Sequence, residues 1–123
     1  MIRVTIYNEF FHEKNDPRAE AVYPHGIHRV IGDFLEEDSD ITVNYVHLDN
    51  IKEKMTEELL RETDVLIWWA HANHPAVPDE IALMVADEVR RGMGFIPLHA
   101  AHHSKPFKLL MGTRCDLLWE LPD

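Results

Sequence analysis

The chain has a single cysteine, Cys115, which excludes an internal disulfide and any thiolate metal cluster, so the fold must stand on packing. Cys115 itself reads as a buried structural cysteine rather than a nucleophile. Glycine is scarce, with 5 in 123 residues, and the first apolar segment runs into Asn8-Glu9-Phe10 rather than Gly-x-Gly-x-x-Gly. Without that phosphate cradle no nucleotide cofactor is expected. A Gly-x-Ser-x-Gly nucleophile elbow is also missing. No apolar run approaches the roughly 20 residues that span a bilayer, and Met1-Ile2-Arg3 leads into a short strand rather than a signal peptide. The expected location is therefore the cytoplasm, with no membrane partner. Basic residues are few, 12 Lys and Arg against 22 Asp and Glu, and they are scattered, which argues against nucleic acid as a partner. The net charge of -10 is spread along the chain and reads as a solubilising surface.

What the chain has in quantity is apolar patterning and histidine. With 46% hydrophobic residues over 123 positions it has the material for one domain around one core. Ile2 to Tyr7 is a β-branched strand, and a long loop follows it, carrying His12, Tyr23 and His25. Ile27, Val30, Ile31, Phe34 and Leu35 form the stripe of an amphipathic helix. Ile41 to His47 alternates as a second strand nearer an edge, and Thr56 caps a short helix that Asp64 closes. Val65 to Trp69 is a continuous apolar run, the pattern of a central parallel strand, with Trp68 and Trp69 both assigned to the core. Pro78 opens a helix that Arg90, Arg91 and Gly92 close. Gly94 to Leu98 is a fourth strand, Ser104 to Met111 a further helix, and Leu117 to Trp119 a last short strand.

This alternation predicts an α/β fold, a flavodoxin-like three-layer doubly wound sheet, mainly parallel, with the first, third and fourth strands side by side in the middle. Ligands of such sheets bind outside the carboxyl ends of the strands. Strands lie about 4.8 Å apart, so residues at those ends converge on one rim. The rim would hold Asn8, Glu9, His71, His74, His99, His102 and His103, with His28 reaching in from the first long helix.

Nine histidines are more than a surface of this size needs. Taken singly, each reads as a hydrogen-bonding or exposed side chain, and Glu9 as a solvated loop carboxylate. Their clustering on one edge raises a functional reading. Imidazoles from several strand ends could bind a divalent metal, zinc first, for which the candidate ligands are His71, His99 and His102. Without metal, His99, His102 and Glu9 are the candidates for general acid and base, and Asn8, His28 and His74 for substrate binding.

Several stretches together resemble the ThuA-like (trehalose utilisation) proteins of the class I glutamine-amidotransferase-like superfamily. They are Val4 to Glu9, Tyr23-Pro24-His25-Gly26-Ile27-His28, Asp64 to His71 with His74 and Val77, and Gly92 to Phe95 leading to Leu98-His99-Ala100-Ala101-His102-His103-Ser104-Lys105. Phe107 to Thr113 also fits. His28, His71, His74, His99 and His102 match family positions, whereas Ala70, Ala100 and His103 stand where the family usually has Gly, Ser and Phe. The resemblance implies an amidotransferase-like scaffold without its cysteine nucleophile, associated with trehalose and disaccharide utilisation and acting on a sugar or keto-sugar. It also implies a single domain over 1–123 that lacks the C-terminal half usual in the family, with homo-oligomerisation as one way to cover the last strand. A non-catalytic, sugar-sensing or regulatory module on the same scaffold is the competing expectation.

Overall fold

The computed structural model describes residues 1–122. Strand β1 (Ile2–Asn8) pairs in parallel with β2 (Ile41–His47) on one side and with β3 (Val65–Trp69) on the other. Strand β4 (Gly94–Pro97) pairs in parallel with β3, which gives the order β2-β1-β3-β4. This is the flavodoxin-like α/β arrangement, with the first, third and fourth strands adjacent and β2 on an edge as its pattern indicated. Asn8 sits level with both His47 and Trp69, so the carboxyl ends of β1, β2 and β3 share one rim.

The helices fill the connections. Helices α1 (His12–Asn15) and α2 (Pro17–Val22) occupy the segment expected to be loop, because the Asp16 side chain accepts the Arg18 N–H and Pro17 supplies a first turn that needs no donor. Helix α3 (Ile27–Leu35) lies on one face of the sheet. Its buried stripe is narrower than its periodicity predicts: Ile31 and Leu35 pack against Val4, Ile6 and Ile67, while Val30 and Phe34 are 54% and 69% exposed. Helices α4 (Ile51–Lys54), α5 (Glu57–Glu62) and α6 (Asp79–Arg91) cover the other face through Ile51, Met55, Leu60, Ile81 and Val85. Helix α7 (Lys105–Met111) packs beside α6 and ends at Gly112 in the left-handed conformation. Thr56 caps α5 as expected, and Pro78 stands one position earlier than expected, at the N-cap of α6.

Alternation along the two central strands sorts the core. Val4 and Ile6 of β1 and Ile67 of β3 face α3, whereas Tyr7, Leu66 and Trp68 face α4 to α6. Burial of aliphatic side chains of this kind stabilises the fold by about 1.5–3 kcal/mol each, which is why the layers hold without a cross-link. Trp68 is fully buried against Tyr7, but Trp69, also expected in the core, is only half-buried at the carboxyl end of β3.

Two expectations need correction. No strand forms over Leu117 to Trp119, so β4 is an edge strand rather than a middle one. The chain after Gly112 turns back because His102 and His103 bind Cys115 and Asp116, which draws the segment over the rim instead of along β4. Cys115 is consequently half-exposed rather than buried.

Candidate functional site

The rim residues separate into a buried polar cluster beside β1 and an open cavity beyond β3 and β4. Asn8 is completely buried, and all of its amide atoms are committed. Its Nδ2 donates to Glu13 Oε2 at 2.6 Å and to His28 Nδ1 at 3.1 Å, and its Oδ1 accepts the Phe10 N–H at 2.9 Å. That geometry makes His28 Nδ1 an acceptor and puts the ring proton on Nε2. The His28 ring is 4.4 Å from that of His47 and 5.1 Å from that of Phe10. Burial first, and then the neighbouring His47, pushes the His28 pKa down to about 4, against the pull of Glu13 in the other direction. Gly26, with φ of +90°, is needed at the entrance to α3, since a Cβ there would overlap the His28 and Phe10 rings. Asn8 and His28 were expected to touch substrate at the histidine rim. Neither lines the histidine cavity: both are hydrogen-bonded in a cluster with Glu13, against the ring of His47, two residues that no pattern in the sequence singled out. His28 also borders a separate cavity with Phe10, His25 and Arg29.

Glu9 is 5% exposed and is not a solvated loop carboxylate. Its Oε1 accepts the N–H groups of His71 and Ala72 at 2.8 and 2.9 Å, and its Oε2 that of Asn73 at 2.8 Å. The strand order reverses between β1 and β3, so this is the switch point where an open sheet has its crevice. Here the crevice is closed by a protein carboxylate in a nest of consecutive amides. The result is a fixed path for the chain that carries His71 and His74.

The open cavity, about 220 Å³, lies next to this loop and is lined by His71, His74, His99, Ala100, His102, His103, Leu117 and Trp119. His71, His74, His99 and His102 are therefore brought together as the sequence indicated, and His103, which had little support there, joins them. Leu117 and Trp119 belong to the wall only because their segment folds back.

His99 occupies the turn that leaves β4, where related folds place a nucleophile, and its φ is +39°. Left-handed backbone at a non-glycine residue costs about 1–2 kcal/mol and collects at functional turns. The strain holds an exposed imidazole above the end of the sheet. His102 Nδ1 lies 2.7 Å from the Cys115 carbonyl oxygen, an atom that only accepts, so Nδ1 carries the proton and Nε2 keeps a lone pair. His71 Nδ1 and His12 Nε2 share a hydrogen bond at 2.9 Å, which brings in a histidine from α1. His74 is half-buried with Nδ1 unpartnered, and burial lowers its pKa, so it is neutral near pH 7. His103 Nε2 is 3.1 Å from Asp116 Oδ1.

Such a set suits proton transfer. Among the described residues no group of three or more His, Cys, Asp or Glu side chains is already gathered around one point where a metal ion could sit. His71, His99 and His102, the expected zinc ligands, share the cavity without forming a ligand set.

A four-stranded parallel sheet in this order, layered between helices and carrying its polar residues at the carboxyl ends, defines a flavodoxin-like α/β protein, the arrangement of the class I glutamine-amidotransferase-like superfamily among others. The family model for trehalose utilisation, ThuA, matches residues 3–120, and the chain belongs to that family. No curated protein matches it. No helix is long and apolar enough to cross a membrane among the described residues.

Proposed function

We propose that this trehalose-utilisation protein is an enzyme that acts on a carbonyl or hydroxyl of a sugar or keto-sugar by general acid–base catalysis in the histidine cavity. The observation that carries the reading is the cavity itself: five imidazoles, at positions 71, 74, 99, 102 and 103, around one opening at the carboxyl edge of the sheet. Imidazole titrates near neutral pH and needs only hydrogen-bond reach to a reacting proton. The lone pair on His102 Nε2 makes it the base, and the exposed ring of His99 is placed to be its acid partner. His71 and neutral His74 orient the hydroxyls of the sugar. Glu9 acts as a positioning residue, because its oxygens are taken by the 71–73 amides. Ala100 and Ala101 stand at the turn in place of a nucleophile, so no covalent intermediate on this chain is part of the mechanism.

The test is turnover of trehalose and of 3-keto sugars by the wild-type protein and by His99→Ala and His102→Ala. Each substitution is expected to lower kcat about 100-fold or more. Saturable sugar binding without turnover would replace the enzyme by a sugar-sensing module, and neither binding nor turnover would sink the reading. Metal analysis of untagged protein, with His99→Ala as control, decides the zinc expectation. Stoichiometric zinc lost in the variant would turn the cavity into a metal site.

A further inference from the structure

The cavity has imidazole on most of its wall and an exposed indole at its mouth. Trp119 lines it, with its ring centroid 6.3 Å from that of His99, yet 71% of the residue faces solvent. Trp68 is buried and Trp69 half-buried, so Trp119 is the most exposed of the three tryptophans. Trp119 therefore offers an exposed aromatic face at the edge of a histidine-lined cavity. Nor is its placement that of a loose end: the segment leading to it is tied down by the His102 bond to the Cys115 carbonyl and by the His103 contact with Asp116. The cavity volume of about 220 Å³ is below the roughly 300 Å³ at which pockets for drug-sized ligands begin, so it accepts about one sugar ring.

We infer that Trp119 is the stacking platform for a pyranose ring, taking the ring's apolar C–H face on the indole while its hydroxyls turn toward the cavity histidines. This rests on the sugar-site reading above and adds the residue that selects a ring over an open-chain polyol. The axial C–H bonds of a gluco-configured pyranose chair give the ring fixed apolar faces that match the negative face of an indole, whereas an open-chain polyol such as sorbitol holds no such face. Leu117, 51% exposed in the same wall, extends the apolar strip.

The experiment is titration of the full chain with trehalose, glucose and sorbitol, by calorimetry and by tryptophan emission, in wild type, Trp119→Ala and Trp119→Phe. For the wild type, trehalose and glucose should bind, shift the emission to the blue and protect it from iodide, and sorbitol should not. Trp119→Ala should weaken sugar binding about tenfold, and Trp119→Phe should retain it to within about threefold while losing the spectral change. The high exposure of Trp119 means that both variants should melt with the wild type, which calorimetry checks. Sugar binding that Trp119→Ala leaves unchanged would overturn the platform and leave the sugar site standing. Equal binding of sorbitol would overturn it as well. Absence of binding by either sugar to the wild type would remove both.

Discussion

Glu9→Gln turns one carboxylate oxygen into an N–H donor with almost no change in size. In the native chain Oε1 accepts two N–H groups, from His71 and Ala72, and Oε2 accepts one, from Asn73. An amide can keep the first pair through its oxygen, but its nitrogen then faces the Asn73 N–H, donor against donor. A hydrogen bond to a charged group contributes about 1.5–3 kcal/mol and a neutral one about 1 kcal/mol. Losing the Asn73 bond and converting the other two to neutral ones therefore costs about 3 kcal/mol, after water has re-satisfied part of the freed amide. For 123 residues the unfolding entropy is about 0.26 kcal/mol/K, so Tm should fall by about 10 °C. Differential scanning calorimetry at pH 7 measures this. Amide hydrogen exchange at 71–73 should speed up in the variant, and turnover should fall with it, because His71 and His74 ride on that loop. A Tm within about 2 °C of wild type, or 71–73 amides that exchange freely in the native protein, would refute the account of Glu9 as the clamp of the site.

Acid should loosen the buried cluster beside β1. His28 has its pKa pushed down to about 4 in the fold from 6.5, so between those values the unfolded chain binds a proton that the folded one refuses. Its stabilising effect is complete above about pH 6.5 and is lost as the pH falls toward about 4. At most this amounts to about 3 kcal/mol, with burial of His47 and His74 acting in the same direction. Glu13, Arg29 and Asp33 are the charged groups that bear on His28. Tm measured from pH 7.5 to 5 should fall, and His28→Gln, whose amide oxygen can accept from Asn8, should flatten the fall; an equal slope in both would contradict it. His99→Gly should separate stability from activity: it relieves the φ of +39° and raises Tm by about 4 °C through about 1 kcal/mol, while lowering kcat about 100-fold or more. A lower Tm would show that the His99 ring holds the turn rather than serving the cavity.

Much of this protein is written locally. The unbroken apolar run Val65–Trp69 can be satisfied only by a strand covered on both faces, and Pro78 with Gly92 bounds α6 wherever the rest of the chain goes. Right-handed crossovers then dictate a parallel sheet, and with it the gathering of His71, His74, His99 and His102 at one edge. Tertiary structure decided what depends on partners distant in sequence. Glu9 is indistinguishable from a surface carboxylate until its donors arrive from 62 to 64 residues away. Asn8 and His28 carry the polarity of a binding site, but the placement of α3 brings His28 onto Asn8 at the end of β1, with Glu13 and His47 alongside. Leu117-Leu118-Trp119 has the composition of a strand, and a strand needs a neighbour to accept its backbone bonds. Two histidine contacts hold that segment over the rim instead, which is how an apolar tail became a wall of the cavity.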